Sequence, residues 1–148
     1  MARINLAADF RDFLRLCLHH EVEFMVVGGY AVVHYSRPRY TGDLDVWVSS
    51  SQENAERIVR VLQDFGFKRE DVSTSLITTE GQIVRMGFEP MRLGLFTRID
   101  GVEFGECYPS RVFVRIDDME VPFIGLDDLR TNKKASGRLK DLQDLEEL

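Results

Sequence analysis

Cysteine is scarce in this 148-residue chain: Cys17 and Cys107 lie far apart and fit no zinc or thiol-redox spacing. The expected setting is a reducing cytoplasm, and the chain is long enough to build a hydrophobic core without covalent staples. No apolar run approaches the roughly 18 residues of a transmembrane helix, so no membrane partner is expected. The opening MARINLAADFRDFLRLCLHH has acids among its apolar positions and no small-residue cleavage site, unlike a signal peptide. Histidine is limited to His19, His20 and His34, at no zinc-binding spacing. Positive charge is in deficit too. A net charge of −6 excludes a broadly basic surface gripping a long duplex, while leaving room for a local basic pocket around one triphosphate or one RNA end. Repeats, linkers and low-complexity segments are absent, which predicts a single domain over residues 1–148.

The periodicity that is present alternates between helix and strand. Apolar residues at helical spacing predict a first amphipathic helix from Ile4 to His20. EFMVVGGY reads as a short strand ended by Gly28-Gly29, and YAVVHYS as a short helix ended before Pro38. LDVWVS is a second strand. Ser49–Ser51 can cap a third helix, QENAERIVRVLQDFGF, whose stripe of Ile58, Val59, Leu62 and Phe65 stops at Gly66. QIVRMGF and MRLGLFTRI look like paired strands, RVFVRID and EVPFIG like a hairpin around Asp117-Asp118. The chain closes on one or two helices with a break near Gly137. These elements predict an α+β fold, a single mixed β-sheet with helices packed on it.

YTGDLDVWV, residues 40–48, carries the chemistry. Alternation along a strand places Asp43 and Asp45 on one face, with Cα atoms roughly 6.5–7 Å apart. At about 5 Å and an effective dielectric near 20, two carboxylates repel by roughly 3 kcal/mol, a cost that no structural element needs. A divalent cation removes it, so the pair is a candidate metal site. The bland alternative is an exposed edge where both acids meet solvent, but Val46, Trp47 and Val48 follow at once and argue for a central strand.

Weaker signals surround the pair. Gly28-Gly29, between a strand and a helix, is either a tight turn or a helix start whose bare amides receive phosphate oxygens. Arg37, Arg39, Thr41 and Gly42 precede the acids, and an arginine there could face phosphate charge. His34, beside the glycines, reads as a packing residue. Lys133, Lys134, Arg138 and Lys140, interleaved with Asp141 and Asp144, form either a solvated helix face or a group that reaches a nucleotide.

VVGGYAVVHYSRPRYTGDLDVWV, taken whole, resembles the glycine-pair and D-x-D signature of the nucleotidyltransferase superfamily with the polymerase-β-type fold. The likeness is closer to a small bacterial single-domain branch related to AbiEii-type toxins, and GLDDLRTNKKASGRLKDLQDLEEL is similar to that branch's closing segment. The resemblance implies a nucleotidyltransferase-like fold in which Gly28 and Gly29 hold a triphosphate, with Arg39, Thr41 and Lys133 as further nucleotide-binding residues. It implies Asp43 and Asp45 as catalytic ligands of Mg²⁺ or Mn²⁺. The implied reaction moves an NMP from an NTP to a hydroxyl acceptor: an RNA 3′ end, a protein side chain or a small molecule. A toxin–antitoxin context is implied as well, and the short chain suggests that a second copy or a partner protein completes the site.

One position departs from the pattern. Relatives carry a third carboxylate in a strand of the form R-I-D-L-L-T, and RLGLFT puts Gly94 there. Glu89 and Asp100 lie nearby but not at that position. Gly94 therefore supports a second reading, a catalytically impaired nucleotide-binding or regulatory member of the same fold.

Overall fold

The computed structural model describes residues 7–79, 81, 83–88 and 91–148. Among them, seven helices and six strands form: α1 (Ala8–His19), β1 (Phe24–Val27), α2 (Gly28–Tyr35), β2 (Asp43–Val48), α3 (Gln52–Phe65) and α4 (Ser75–Thr78), followed by β3 (Ile83–Phe88), β4 (Met91–Phe96), α5 (Phe104–Cys107), β5 (Val112–Ile116), β6 (Met119–Phe123), α6 (Leu126–Ser136) and α7 (Leu139–Glu147). The strands make a single mixed sheet in the order β3-β4-β2-β1-β6-β5. The fold is α+β, as the periodicity predicts. The predicted start of the first helix, Ile4 to Leu6, lies outside the described residues, as does Glu89.

Local chemistry explains most boundaries. Ser51 Oγ accepts from the Asn54 backbone N–H at 3.2 Å and starts α3, while Gly66 ends it with φ 119°. Asn54 is buried, and its amide bonds to the backbone of Glu23 and Ser49, tying the start of β1 and the end of β2 to α3. Asp117, at φ 55°, turns the β5–β6 hairpin, and Gly137, at φ 66°, separates α6 from α7.

The sheet has two unlike faces. Leu44, Leu93 and Met86 sit side by side in register across β2, β4 and β3 and face Phe10 of α1 and Phe65 of α3. Phe13 of α1 packs edge-on against Phe65 at 5.5 Å. Each fully buried Leu, Val or Phe on this side contributes about 1.5–3 kcal/mol of burial free energy. The opposite face of β2 presents Asp43, Asp45 and Trp47, and that of β4 presents Gly94 and Phe96 beside Asp45 and Trp47. With β4 on one side and β1 on the other, β2 is central, so its aspartates do not stand on an edge.

Candidate functional site

Strand register assembles the site. Across three strands, Val27, Asp45 and Gly94 lie in line, and Arg85 of β3 continues the row beside Gly94. The row crosses the floor of a cavity of about 590 Å³ that also takes residues from α6 and α7.

Gly28 follows the residue paired with Asp45 and adopts φ +69°. A Cβ there would lie 2.5 Å from Asp45 Oδ2, so both the backbone conformation and the approach of the carboxylate demand glycine. At Gly29 the space beside Cα is taken by Thr41, whose Cγ2 would stand 2.7 Å from a Cβ. Thr41 thus packs over the glycine turn, and its carbonyl accepts from the Tyr30 hydroxyl at 3.0 Å.

Asp45 is the electrostatically stressed member of the pair. Burial raises its pKa, and Asp43 raises it further, against smaller opposing effects of Arg85, Lys133 and Lys140. Its Oδ1 is buried with no hydrogen-bond partner among the described residues. An orphaned carboxylate oxygen is costly unless something binds it. Asp43 leans towards Arg92, its register partner on β4, with Oδ2 and Nη2 at 3.6 Å. Mg²⁺ is commonly held by one or two carboxylates together with substrate phosphates, and two acids on one face with an orphaned oxygen fit that donor set. Among the described residues no cluster of three His, Cys, Asp or Glu side chains gathers at metal spacing.

Gly94 stands where a third acid would complete the set. A Cβ there would point at Asp45 Oδ1, 3.1 Å away, and at Phe96 Cε2, 3.0 Å away. Asp100 lines the same cavity, but its carboxylate accepts from the Ser136 hydroxyl at 3.2 Å.

The cations fall into two groups. Lys133 is buried and paired with Asp141 at 3.1 Å and Asp144 at 3.2 Å; Arg39 meets Asp144 at 2.6 Å and Arg138 meets Asp141 at 2.8 Å. Burial pushes both aspartates up, but hydrogen bonds from Arg138 and Lys133 to Asp141, and from Arg39 and Lys133 to Asp144, outweigh it and hold both below the usual carboxylate range. This chain of five side chains clamps α7 onto α6 and onto the loop before β2. Arg85, Arg98 and Lys140 line the cavity and make no ion pair among the described residues. Arg85 lies over the Phe96 ring at 5.7 Å.

Of the residues expected from sequence, Gly28, Gly29, Arg39, Asp43, Asp45 and Lys133 line one cavity, with Thr41 packed behind Gly29. Arg37 pairs instead with Glu147 at 2.9 Å, and His34 packs against Tyr35 and Phe123. Sequence reasoning missed Arg85 and Arg98. Their signal was faint: an arginine within a strand-like segment becomes informative only once the strand order is known. It also treated Asp141 and Asp144 as surface partners, whereas both are buried.

No helix among the described residues is long and apolar enough to cross a membrane. No family model and no curated protein matches the sequence. Solved structures do match. One is a Thermotoga maritima protein described as a putative nucleotidyltransferase, with TM-score 0.61 and 17% identity, covering 93% of this chain and 88% of that one. Another is the lincosamide antibiotic adenylyltransferase LnuA in its lincomycin-bound form, with TM-score 0.58 and 15% identity, covering 97% of each chain. With its mixed six-stranded sheet and the aspartate pair on a central strand, the chain has the fold of the nucleotidyltransferases.

Proposed function

We propose that this protein is a metal-dependent nucleotidyltransferase that moves a nucleoside monophosphate from an NTP to a hydroxyl acceptor. The observation that carries the reading is Asp43 and Asp45 on one face of β2, with an orphaned Asp45 oxygen beside the left-handed Gly28, at the floor of a cavity holding uncommitted cations. A bound Mg²⁺ or Mn²⁺ would be held by the two carboxylates and would supply positive charge against the phosphates.

The chain's own groups do the rest. Arg85, Arg98 and Lys140 can turn towards triphosphate oxygens, since no carboxylate among the described residues holds them. Lys133, Arg39 and Arg138 act indirectly by fixing α7 as a wall of the cavity. In the transfer, the acceptor oxygen bonds to the α-phosphorus, the bond to the β-phosphate oxygen breaks, and pyrophosphate leaves with the electron pair. The hydroxyl proton goes to a carboxylate. Asp141 and Asp144 are ion-paired and Asp100 is hydrogen-bonded, which leaves a carboxylate of the Asp43–Asp45 pair as the acceptor of that proton.

The matching length of LnuA supports an adenylyl donor and a small-molecule acceptor within one short domain. An RNA 3′ end or a protein side chain, including in a toxin–antitoxin setting related to AbiEii-type toxins, would be served by the same step. Incubation with α-labelled ATP and Mn²⁺, with small-molecule pools, total tRNA and lysate as acceptors, tests the reading. Label transfer lost in Asp43→Asn and Asp45→Asn is the expected result, and absence of any ATP binding would refute it. Gly94, in register with Asp45, favours a second reading in which nucleotide is bound but transfer is slow.

A further inference from the structure

The sheet ends at β5, and this edge is unguarded. The strand pairs with β6 alone, and no backbone group among the described residues bonds to its outer side. Sheet edges are ordinarily protected by lysine, proline, a bulge or a covering loop. The strand VFVRI has no proline or glycine, runs without a bulge beside β6, and carries Arg115 as its only charge.

The hairpin decides which backbone groups face outward. Ile116 and Met119 flank a two-residue turn and form a hydrogen-bonded pair, as do Val114 with Val121 and Val112 with Phe123. Ile124 fits the same phase, since its N–H donates the other way, to the Val26 carbonyl at 3.1 Å. Phe113 and Arg115 therefore turn their N–H and C=O groups out of the sheet. Phe113 is also 55% exposed, although Arg111 lies over its ring at 5.2 Å.

We infer that β5 is an interface on which a second copy of this chain docks, β5 against β5, antiparallel, about a two-fold axis at Val114. Hydrogen-bonded antiparallel pairing sets outward residues against outward residues, which leaves symmetric registers centred on Phe113, Val114 or Arg115. Centring on Phe113 brings Arg115 against Arg111 of the second copy, and centring on Arg115 sets that arginine against itself. Both oppose like charges. Centring on Val114 sets Phe113 against Arg115 of the second copy, twice, with Val112 against Ile116 and Arg111 against the turn residue Asp117. Each Arg115 can then lay its aliphatic stem along a phenyl ring. Its present partner, Glu120 at 3.3 Å, is exposed and holds it weakly. This self-complementarity is what selects a second copy over an unrelated extended peptide.

The joined sheet leaves both Asp43–Asp45 cavities open. Val26 and Phe123 are register partners, so Val27 and Pro122 lie on the other face, together with their own partners Asp45 and Phe113. The two-fold axis keeps that face on one side, with the two β2 strands seven strand steps, roughly 34 Å, apart.

Sedimentation of the full chain from about 5 to about 500 µM should show a concentration-dependent shift from 17.1 kDa to twice that mass. Hydrogen exchange at the Phe113 and Arg115 amides should slow about tenfold or more at the high end of that range, and the Val114 amide, which already serves β6, should change less. Phe113→Lys sets a lysine against Arg115 of the second copy and should raise the dissociation constant about tenfold or more, whereas Phe113→Glu sets a carboxylate there and should keep it within about threefold. The position is exposed, so both variants should fold, and circular dichroism checks this; if either does not, amide protection in the natural chain decides alone. A chain that stays at 17.1 kDa throughout, an assembly without protection of these two amides, or equal weakening by the two variants overturns the inference.

Discussion

Replacing Gly94 by aspartate tests how the site balances charge. Gly94 is the register neighbour of Asp45 on a parallel strand, and its Cβ direction points at Asp45 Oδ1. Neighbouring strands lie about 4.8 Å apart, so the new carboxylate would stand roughly 5 Å from that of Asp45. At an effective dielectric near 20 the repulsion is about 3 kcal/mol. Arg85, the other register neighbour of Gly94, returns part of it, and Phe96 must yield a few tenths of an ångström to admit the Cβ. The expected net cost without metal is about 1–3 kcal/mol of unfolding free energy.

With metal the sign reverses. A third oxygen ligand should tighten divalent-ion binding in the presence of ATP, and a hundredfold excess of metal over its dissociation constant returns about 2.7 kcal/mol. Urea unfolding with and without Mn²⁺ reads both effects from one pair of curves, and transfer should rise by about one to three orders of magnitude if a transition-state contact is gained. If the Gly94→Asp protein is as stable as the natural chain without metal, or gains no more from Mn²⁺, Gly94 does not face a metal site. The reasoning then fails.

Other substitutions separate folding from function. Gly28→Ala adds a Cβ at φ +69° and 2.5 Å from Asp45 Oδ2, so it should cost about 1–2 kcal/mol in backbone strain alone and also weaken ATP binding; urea unfolding and calorimetry measure the two losses. Asp144→Ala leaves Lys133 and Arg39 short of a buried partner and should cost about 3–5 kcal/mol at neutral pH. Because the Asp144 pKa is depressed in the fold, its contribution is present above the ordinary carboxylate range and lost as pH falls through the folded value, so the variant's acid unfolding limb should be shallower. Asp45→Asn should do the opposite. The folded state holds the Asp45 proton more tightly, so ionisation costs stability as pH rises through the carboxylate range, and the variant should melt higher than the natural chain at pH 7 but not at pH 3.

The parts of the site that could be read from sequence are those set by local geometry. Asp43 and Asp45 share a face because strand alternation requires it, and Ser51 and Gly66 bound α3 through capping and a left-handed stop. The break at Gly137 was equally visible. What alternation cannot supply is strand order. Arg85 reaches the site only because β3 lies outside β4 and pairs with it in a register that puts Arg85 beside Gly94. Nor does helical spacing reveal that α7 turns back on α6, which converts Asp141 and Asp144 from apparent surface acids into the buried partners of Lys133. Gly29 shows the same limit. Its place after a strand suggests room for phosphate, yet the space beside it is filled by Thr41 from twelve residues on.

That folding-back also decides which cations are available to a ligand. Lys133, the basic residue singled out by its place in the closing segment, is held by two buried carboxylates, and Arg39 and Arg138 are each held by one. Moving any of them to a phosphate would take one of its two cationic partners from an almost fully buried aspartate, a penalty larger than one exposed phosphate contact returns. Arg85, Arg98 and Lys140 carry no such debt, and they line the same cavity from β3, from the segment after β4 and from α7. Two carboxylates with one divalent ion approach neutrality, and three uncommitted cations then face most of the charge of a triphosphate. Without the ion, the same three cations would also have to offset Asp43 and Asp45, and the triphosphate would be repelled from the floor. A chain with net charge −6 can therefore hold a polyanion at this one place, because its fixed ion pairs shape the wall while its free cations remain for the ligand.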